Sequence, residues 1–222
     1  MTQLLPDETA RFVSAAGPQP DDVLAEMDEY AHEHGFPHVG PEVGGWLQLL
    51  ARMVEAERVF EFGSGYGYSA YWFARALHSD GEIVLTEFDA DELELAREYL
   101  SRGGFDDMAS YEHGDAIETV ERYDGPFDVV LVDIRKDQYP DAFAAVREKV
   151  APGGVVIADN AMTAGTLDFE GLLAVQEGAD PSDLDDQTRG IAEYLQATRD
   201  APEFTTAVMP VGEGIAVSYR SE

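Results

Sequence analysis

The residues of this chain best suited to chemistry are three oxygen-bearing side chains at the ends of two predicted strands. Asp133 closes the apolar run 127–133, and Asp159 and Asn160 follow the strand predicted from Val155. In an open parallel sheet, ligands bind at the carboxyl ends of the strands, so we expect these side chains to lie on one rim. Carboxylate and amide oxygens suit Mg²⁺ or Ca²⁺ better than a softer metal. A single Asp at a strand end is often only a helix N-cap, but two of them, one followed by Asn, favour a cation site.

A lysine lies close to the first of these acids. Lys136 follows Asp133 by three residues, and the only other lysine in the chain is Lys149. On a surface that avoids lysine, this residue is a candidate for function. A lysine whose pKa is lowered can act as a general base toward a hydroxyl held by a metal.

A glycine-rich turn lies between another predicted strand and helix. Residues 61–69 place Gly63, Gly65 and Gly67 at alternate positions, and glycine lets the backbone turn tightly and approach a ligand closely. Taken alone, such a turn is equally compatible with simple packing or with other nucleotide folds. Glu87 closes the next strand, where a carboxylate typically binds ribose hydroxyls.

The charge beside the turn separates the candidate ligands. A dinucleotide usually requires the spacing G-x-G-x-x-G, whereas this chain has G-x-G-x-G with Glu61 beside it. That acid would repel a phosphate, but it suits the ammonium group of an amino-acid-bearing nucleoside such as S-adenosylmethionine. Asp115, after His113 and Gly114, is placed to reach an adenine amino group. It is equally suited to be the N-cap of a helix predicted from Ala116.

Composition restricts the classes of function. The 222 residues carry a formal net charge of −31, with 45 acidic residues against 14 Lys and Arg, and contain no cysteine. We therefore expect no nucleic-acid or anionic-membrane partner, no thiolate chemistry, and a soluble protein of the cytoplasm. In its excess of acidic residues over lysine the chain resembles proteins of salt-in halophiles. We expect the negative charges of its surface to repel one another in dilute buffer and to be screened in concentrated salt.

Alternating strand and helix patterns predict an α/β fold with a doubly wound, mostly parallel, Rossmann-like sheet. Two late strands around a turn at residues 211–213 add a C-terminal antiparallel hairpin, and residues 1–35 are predicted to be helical. We interpret residues 1–40 as an N-terminal helical segment with a loop leading to the donor site, and 41–222 as the catalytic domain, in one globular unit. A helix is predicted at 139–150, a turn at 152–154, and no strand at 161–187, which is either an ordered lid or a mobile loop.

Three histidines near the end of the second helix raise the question of a zinc site. His32 and His34 accompany Glu33, and His38 follows in a loop. Residues at i and i+2 face opposite sides of a helix, so we do not interpret this group as a zinc site.

Taken together, these segments resemble the metal-dependent O-methyltransferases of the catechol and caffeoyl-coenzyme A type, which are class I S-adenosylmethionine enzymes. The similarity runs from about Val39 to the C-terminus. Its most specific elements are D-x-x-K-x-x-Y and A-D-N. The matching segments are 61–69, Glu87, 114–116, 132–139, 158–160 and 210–216.

The resemblance implies a role for each matching residue. Asp133, Asp159 and Asn160 would be metal ligands, and Lys136, with Asp133, would be catalytic. Ile134 stands where the catechol enzymes have a His that helps to enclose the adenine, so that contact is not expected here. The residues implied to hold the methyl donor are Val39, Glu61, Gly63, Ser64, Gly65, Gly67, Ser69, Glu87, Phe88, Asp115, Ala116 and Asp133.

The sequence therefore predicts an S-adenosylmethionine-dependent O-methyltransferase that uses a divalent cation, most simply Mg²⁺, and acts on a small acceptor with adjacent hydroxyls. An NAD-type oxidoreductase on a similar sheet is the alternative enzyme, and the glycine spacing and Glu61 disfavour it. A non-catalytic donor-binding module is the alternative from another class. By analogy with the family, we expect a homodimer to which the N-terminal helices contribute.

Overall fold

The computed structural model describes residues 6–165 and 167–221 of the chain, and its centre is a seven-stranded sheet in the order β3-β2-β1-β4-β5-β7-β6. Strands β1 to β5 pair in parallel, while β7 is antiparallel to both β5 and β6. This confirms the predicted mostly parallel sheet with a C-terminal antiparallel hairpin. The strands are β1 (Arg58–Phe62), β2 (Glu82–Glu87), β3 (Ala109–His113), β4 (Phe127–Val132), β5 (Val150–Ala158), β6 (Phe204–Met209) and β7 (Ile215–Arg220).

Helices alternate with the parallel strands, and three helices precede β1. Short 3₁₀ turns at Asp106–Met108, Lys136–Gln138, Arg147–Lys149 and Pro181–Asp183 complete the helical structure of the described residues. The α-helices of this part are α1 (Asp7–Ala16), α2 (Asp22–His34), α3 (Gly40–Met53), α4 (Tyr68–Ala74), α5 (Ala90–Gly103), α6 (Ala116–Val120), α7 (Tyr139–Val146), α8 (Phe169–Gln176) and α9 (Asp186–Asp200). Among the residues described, no helix is both long and apolar enough to cross a membrane.

The central strand β4 is apolar from Val129 to Val132, where helices cover both faces of the sheet. On β4, Val130 and Val132 belong to the hydrophobic cluster on one face, while Val129 and Leu131 belong to the cluster on the other. All four are buried. A strand enclosed in this way reads as a continuous hydrophobic run rather than an alternating one.

The helix predicted at 139–150 is confirmed to within one residue, since α7 is followed directly by the 3₁₀ turn Arg147–Lys149. The turn predicted at 152–154 is wrong, because β5 begins at Val150 and continues through that segment. The register between β4 and β5 shifts between Phe127 and Val129. An irregularity of this kind accommodates the glycines of the 152–154 segment within the strand.

The segment 161–187 contains regular structure that the sequence did not indicate. Helix α8 lies within it, and Asp168 caps this helix by accepting a hydrogen bond from the Gly171 backbone N–H at 3.0 Å. The described part of this segment therefore resembles the ordered alternative more than an irregular loop.

Helix α2 packs against α4, directly beside the glycine-rich turn. Leu24, Met27 and Ala31 are buried with Tyr66 and Trp72 in one aromatic cluster. Asp21 is the N-cap of α2, and Gly35 ends the helix in the left-handed conformation. The chain then enters the segment 36–39, which we call the donor-side loop because it borders the predicted donor residues.

Candidate active site

A cleft of about 1100 Å³ opens at the carboxyl ends of the parallel strands, as expected for this type of sheet. The donor-side loop, the glycine-rich turn and the β6–β7 turn all contribute to it. The predicted site residues that line it are Val39, Gly63, Ser64, Gly65, Ser69, Glu87, Asp133, Lys136, Asp159 and Asn160.

Gly63 allows the first turn of this cleft to lie against the end of β4. Its φ is +79°, and a Cβ at this position would lie 2.2 Å from the Asp133 carbonyl oxygen. The Asp133 backbone N–H in turn donates to the Phe62 carbonyl at 2.9 Å. A side chain at residue 63 would therefore separate the two strand ends that carry the predicted donor and metal residues.

Glu87 joins the glycine-rich turn to the end of β2. One carboxylate oxygen accepts a hydrogen bond from the Gly65 backbone N–H at 3.0 Å, and the other accepts from the Phe88 N–H at 2.7 Å. These contacts fix the carboxylate at the cleft wall, in the place where ribose hydroxyls bind in such folds.

Glu61 is the most unusual acid near the turn. It is fully buried, and among the described residues only the Ser69 hydroxyl lies beside its carboxylate, without the geometry of a good hydrogen bond. Burial raises the pKa of Glu61 to about 8, since it outweighs the opposing effect of Ser69, and the negative charge of Asp133 adds to the rise. A buried carboxylate of this kind is suited to a positively charged ligand group that would replace its lost hydration.

Glu61 does not itself line the cleft, and neither do the remaining predicted donor residues. Gly67 packs against Ala96 of α5, and Phe88 is largely exposed. Asp115 is the N-cap of α6, where its Oδ1 accepts from the Ile117 N–H at 2.7 Å, so the capping interpretation is confirmed. Ala116 is buried in the first turn of the same helix.

Lys136 connects two of the three predicted metal ligands. Its Nζ donates to Asp133 Oδ1 at 3.1 Å, to Asn160 Oδ1 at 2.6 Å and to the Ile134 carbonyl at 3.1 Å. Its turn is fixed by α9, since a Cβ on Gly190 would lie 2.2 Å from the Lys136 carbonyl oxygen. The Lys136 ammonium group is thus the positive charge that these oxygens contact in the absence of a metal ion.

The surroundings of Asp159 show whether a divalent cation would suit the three predicted ligands. The residue is buried, and its Oδ1 has no hydrogen-bond partner among the described residues. Burial and the nearby Asp133 raise the pKa of Asp159 well above its usual value. A buried carboxylate oxygen without a partner, next to a second carboxylate and an amide oxygen, matches the ligand set of a hard divalent cation.

The structure adds residues that sequence reasoning missed. Glu213, in the β6–β7 turn, accepts a hydrogen bond from Asn160 Nδ2 at 2.8 Å. The Tyr139 hydroxyl donates to the Asp159 carbonyl at 3.0 Å. Glu92 lines the cleft, and burial together with the neighbouring acids Glu87 and Asp89 raises its pKa to about 7. Tyr139 and Glu213 stood in the matching segments without a role, and nothing in the sequence signalled Glu92.

The environment of Asp159 predicts a stability effect. A carboxyl group whose pKa is raised in the folded state stabilises the protein below its unfolded pKa, and this contribution is lost as the pH rises through the folded pKa. In the metal-free protein, Asp159→Asn should therefore raise the melting temperature more at about pH 8 than at about pH 5. Thermal denaturation of both proteins with a chelator checks this, and an equal difference at both pH values would contradict it.

Comparison with known proteins agrees with this geometry. The O-methyltransferase family model matches residues 14–221. A catechol O-methyltransferase of Niastella koreensis is 34% identical over 166 residues, which cover 72% of this chain and 75% of that protein.

Solved structures have the same fold. The O-methyltransferase TomG from Streptomyces achromogenes, solved in complex with S-adenosylmethionine, is 25% identical with a TM-score of 0.83, and the match covers 100% of both chains. An O-methyltransferase from Bacillus cereus is 23% identical with a TM-score of 0.81, covering 96% of this chain and 97% of that one, and supports the fold alone. The chain therefore belongs to the O-methyltransferase family of the catechol and caffeoyl-coenzyme A type, and it is an S-adenosylmethionine-dependent O-methyltransferase.

Proposed function

We propose that this enzyme requires a divalent cation, most simply Mg²⁺, and methylates a hydroxyl of a small acceptor that carries a second oxygen beside it. The observation that carries the proposal is the buried, unpartnered Oδ1 of Asp159 in a cleft that also contains Asp133 and Asn160. The catechol O-methyltransferase name of the Niastella koreensis relative supports a vicinal diol on an aromatic ring.

Asp133, Asp159 and Asn160 would hold the cation, which when bound lowers the pKa of an acceptor hydroxyl. Asp133 and Asn160 would then no longer share their oxygens with Lys136 Nζ, which keeps its contact with the Ile134 carbonyl. Lys136, at the same wall of the cleft, is thereby placed to take the proton of that hydroxyl.

We propose roles for the residues of the methyl-donor site as well. Glu61 would face the ammonium group of the methyl donor, whose sulfonium supplies the methyl group. Glu87 would bind the ribose hydroxyls, and the glycines of the turn would let the donor approach the backbone. Asp115 would contribute to the adenine side with the carboxylate oxygen that does not cap α6.

Calorimetric titration in concentrated KCl tests the proposal. S-adenosylmethionine should bind and NAD should not, which also separates the enzyme from an oxidoreductase on a similar sheet. Adding Mg²⁺ should then allow a catechol to bind. Donor binding without any effect of metal would indicate a metal-free enzyme or a non-catalytic donor-binding module, and the cation proposal would be abandoned.

Glu213 offers a second test of the cation site. Its carboxylate accepts from Asn160 Nδ2 and so turns the amide oxygen toward Asp133 and Lys136. Residues that orient metal ligands typically affect metal affinity by about 10- to 100-fold. Glu213→Ala should weaken Mn²⁺ binding by about 10-fold, whereas Glu213→Gln, which still offers an acceptor oxygen, should bind nearly as the wild type.

Electron paramagnetic resonance of free Mn²⁺ measures this affinity without turnover. S-adenosylmethionine binding to the metal-free proteins is the control and should be equal in all three. Identical Mn²⁺ affinity in Glu213→Ala would remove Glu213 from the cation site.

A further inference from the structure

A second group of metal-ligating side chains lies at the outer wall of the cleft, apart from the three oxygen ligands described above. It consists of Asp28 and His32 on α2 and His38 in the donor-side loop, and all three line the cleft. One ligand atom from each side chain lies within 4.8 Å of the other two. No other such group occurs in the described ranges 6–165 and 167–221.

The contacts within this group are those that a metal ion would take over. His38 Nε2 is 2.7 Å from Asp28 Oδ1, and His32 Nδ1 is 3.7 Å from Asp28 Oδ2. The His32 Nδ1 also lies 2.8 Å from the Asp28 carbonyl, a hydrogen bond that it would give up on turning toward the ion. Asp28 and His32 are at i and i+4, so they lie on the same face of the helix. The His32 side chain is 73% exposed and is therefore able to rotate toward the other two ligands.

His34, the remaining histidine of α2, is not part of this group. Its ring stacks on Tyr30 with a centroid distance of 4.2 Å, and its Nδ1 is 2.9 Å from the Tyr30 carbonyl. From the i, i+2 spacing of His32 and His34 we rejected a zinc site altogether on sequence grounds, but that spacing excludes only His34 from the group described here. The sequence did not indicate Asp28, because its proximity to His38 depends on the return of the chain after Gly35.

We propose that Asp28, His32 and His38 form a binding site for a borderline transition metal such as Zn²⁺. Two imidazoles and one carboxylate are a common ligand set for zinc, with water in the fourth position. This chemistry differs from the all-oxygen set at Asp133, which suits Mg²⁺. The two sites therefore select different metals within one cleft.

A bound ion would connect α2 to the donor-side loop. His38 precedes Val39, which lines the cleft, and the His38 ring packs edge-on against Tyr68 at a centroid distance of 4.8 Å. An ion at this site would hold the loop in place and slow the exchange of ligands through that side of the cleft. This consequence, unlike the metal site itself, rests on the donor site proposed above.

Calorimetric titration of Zn²⁺ in concentrated KCl, with excess Mg²⁺ to occupy the oxygen ligands and the acidic surface, tests the site. His32→Ala and His38→Ala should each weaken Zn²⁺ binding by about 10-fold or more. His34→Ala is the matched control, because it removes a histidine of the same helix outside the group, and it should bind Zn²⁺ as the wild type does. No saturable Zn²⁺ binding, or equal losses in His34→Ala and His32→Ala, would overturn the proposal.

Two further measurements keep the test independent of folding and of the donor site. Co²⁺ should give the intense visible absorption of a tetrahedral site in the wild type and in His34→Ala, but not in His32→Ala. Absence of that absorption from the wild type would also count against the site. Stopped-flow dissociation of S-adenosylmethionine with and without Zn²⁺ then examines the loop. An unchanged rate would remove only that consequence and leave the metal site to the first two measurements.

Discussion

Lys136→Ala is expected to lower kcat by about 100- to 10,000-fold, the range typical for loss of a general base, while S-adenosylmethionine binds as before. The reason lies in the position of Nζ, which is held between Asp133, Asn160 and the Ile134 carbonyl at the wall of the cleft. Steady-state kinetics with a catechol, together with calorimetric titration of the donor, measures both quantities.

Two variants separate proton transfer from electrostatics. Lys136→Arg keeps the positive charge, but a guanidinium is not deprotonated in proteins, so this variant should be about as inactive as the alanine variant. Arg135→Ala removes a cation from the same turn whose side chain is 72% exposed and pairs with Asp137, and it should retain nearly full activity. Substantial turnover by Lys136→Arg would show that the charge matters and that Lys136 is not the base.

The strand ends were predictable because the parallel sheet leaves few alternatives. The strands that lead to the glycine-rich turn and to Glu87 are short, mostly apolar segments followed by polar residues or a turn, and they end at Phe62 and Glu87. Once consecutive strands pair in parallel, their carboxyl ends meet at one rim. Asp133, Asp159 and Asn160 were therefore expected together in the cleft that they line.

What sequence reasoning missed depends on contacts between distant segments. Glu213 reaches Asn160 across 53 positions because β7 pairs with β5 in antiparallel register, and no local pattern indicates that pairing. The glycines at 153 and 154 normally mark a turn, but here the irregular pairing with β4 keeps them within a strand. The sequence did not predict helix α8, because most of the stability of a short helix comes from tertiary packing and little from local helix propensity.

The site is built from acids that the protein itself does not neutralise completely. Glu61 and Asp159 are buried, and each has a carboxylate oxygen without a well-formed hydrogen bond among the described residues. Burial, and to a smaller extent the charge of Asp133, raises the pKa of both. Lys136 is the one basic side chain that the structure places among the oxygens of Asp133 and Asn160. Such an arrangement is costly when empty and favours cationic ligands, which we propose to be the ammonium group of the donor on one side and a metal ion on the other.

Donor binding is expected to depend strongly on the buried Glu61. Glu61→Gln should weaken S-adenosylmethionine binding by about 10- to 100-fold, since a hydrogen bond to a charged group contributes about 1.5–3 kcal/mol. Methylthioadenosine, which lacks the amino-acid part of the donor, is the control ligand and should bind both proteins equally. Because the pKa of Glu61 is about 8 in the empty protein, the carboxyl group is mostly protonated near pH 7 and must release its proton when an ammonium group binds. Titration in buffers of different ionisation enthalpy should therefore detect proton release with the wild type but not with the variant. If the variant lost affinity for both ligands alike, Glu61 would support the shape of the turn rather than recognise the ammonium group.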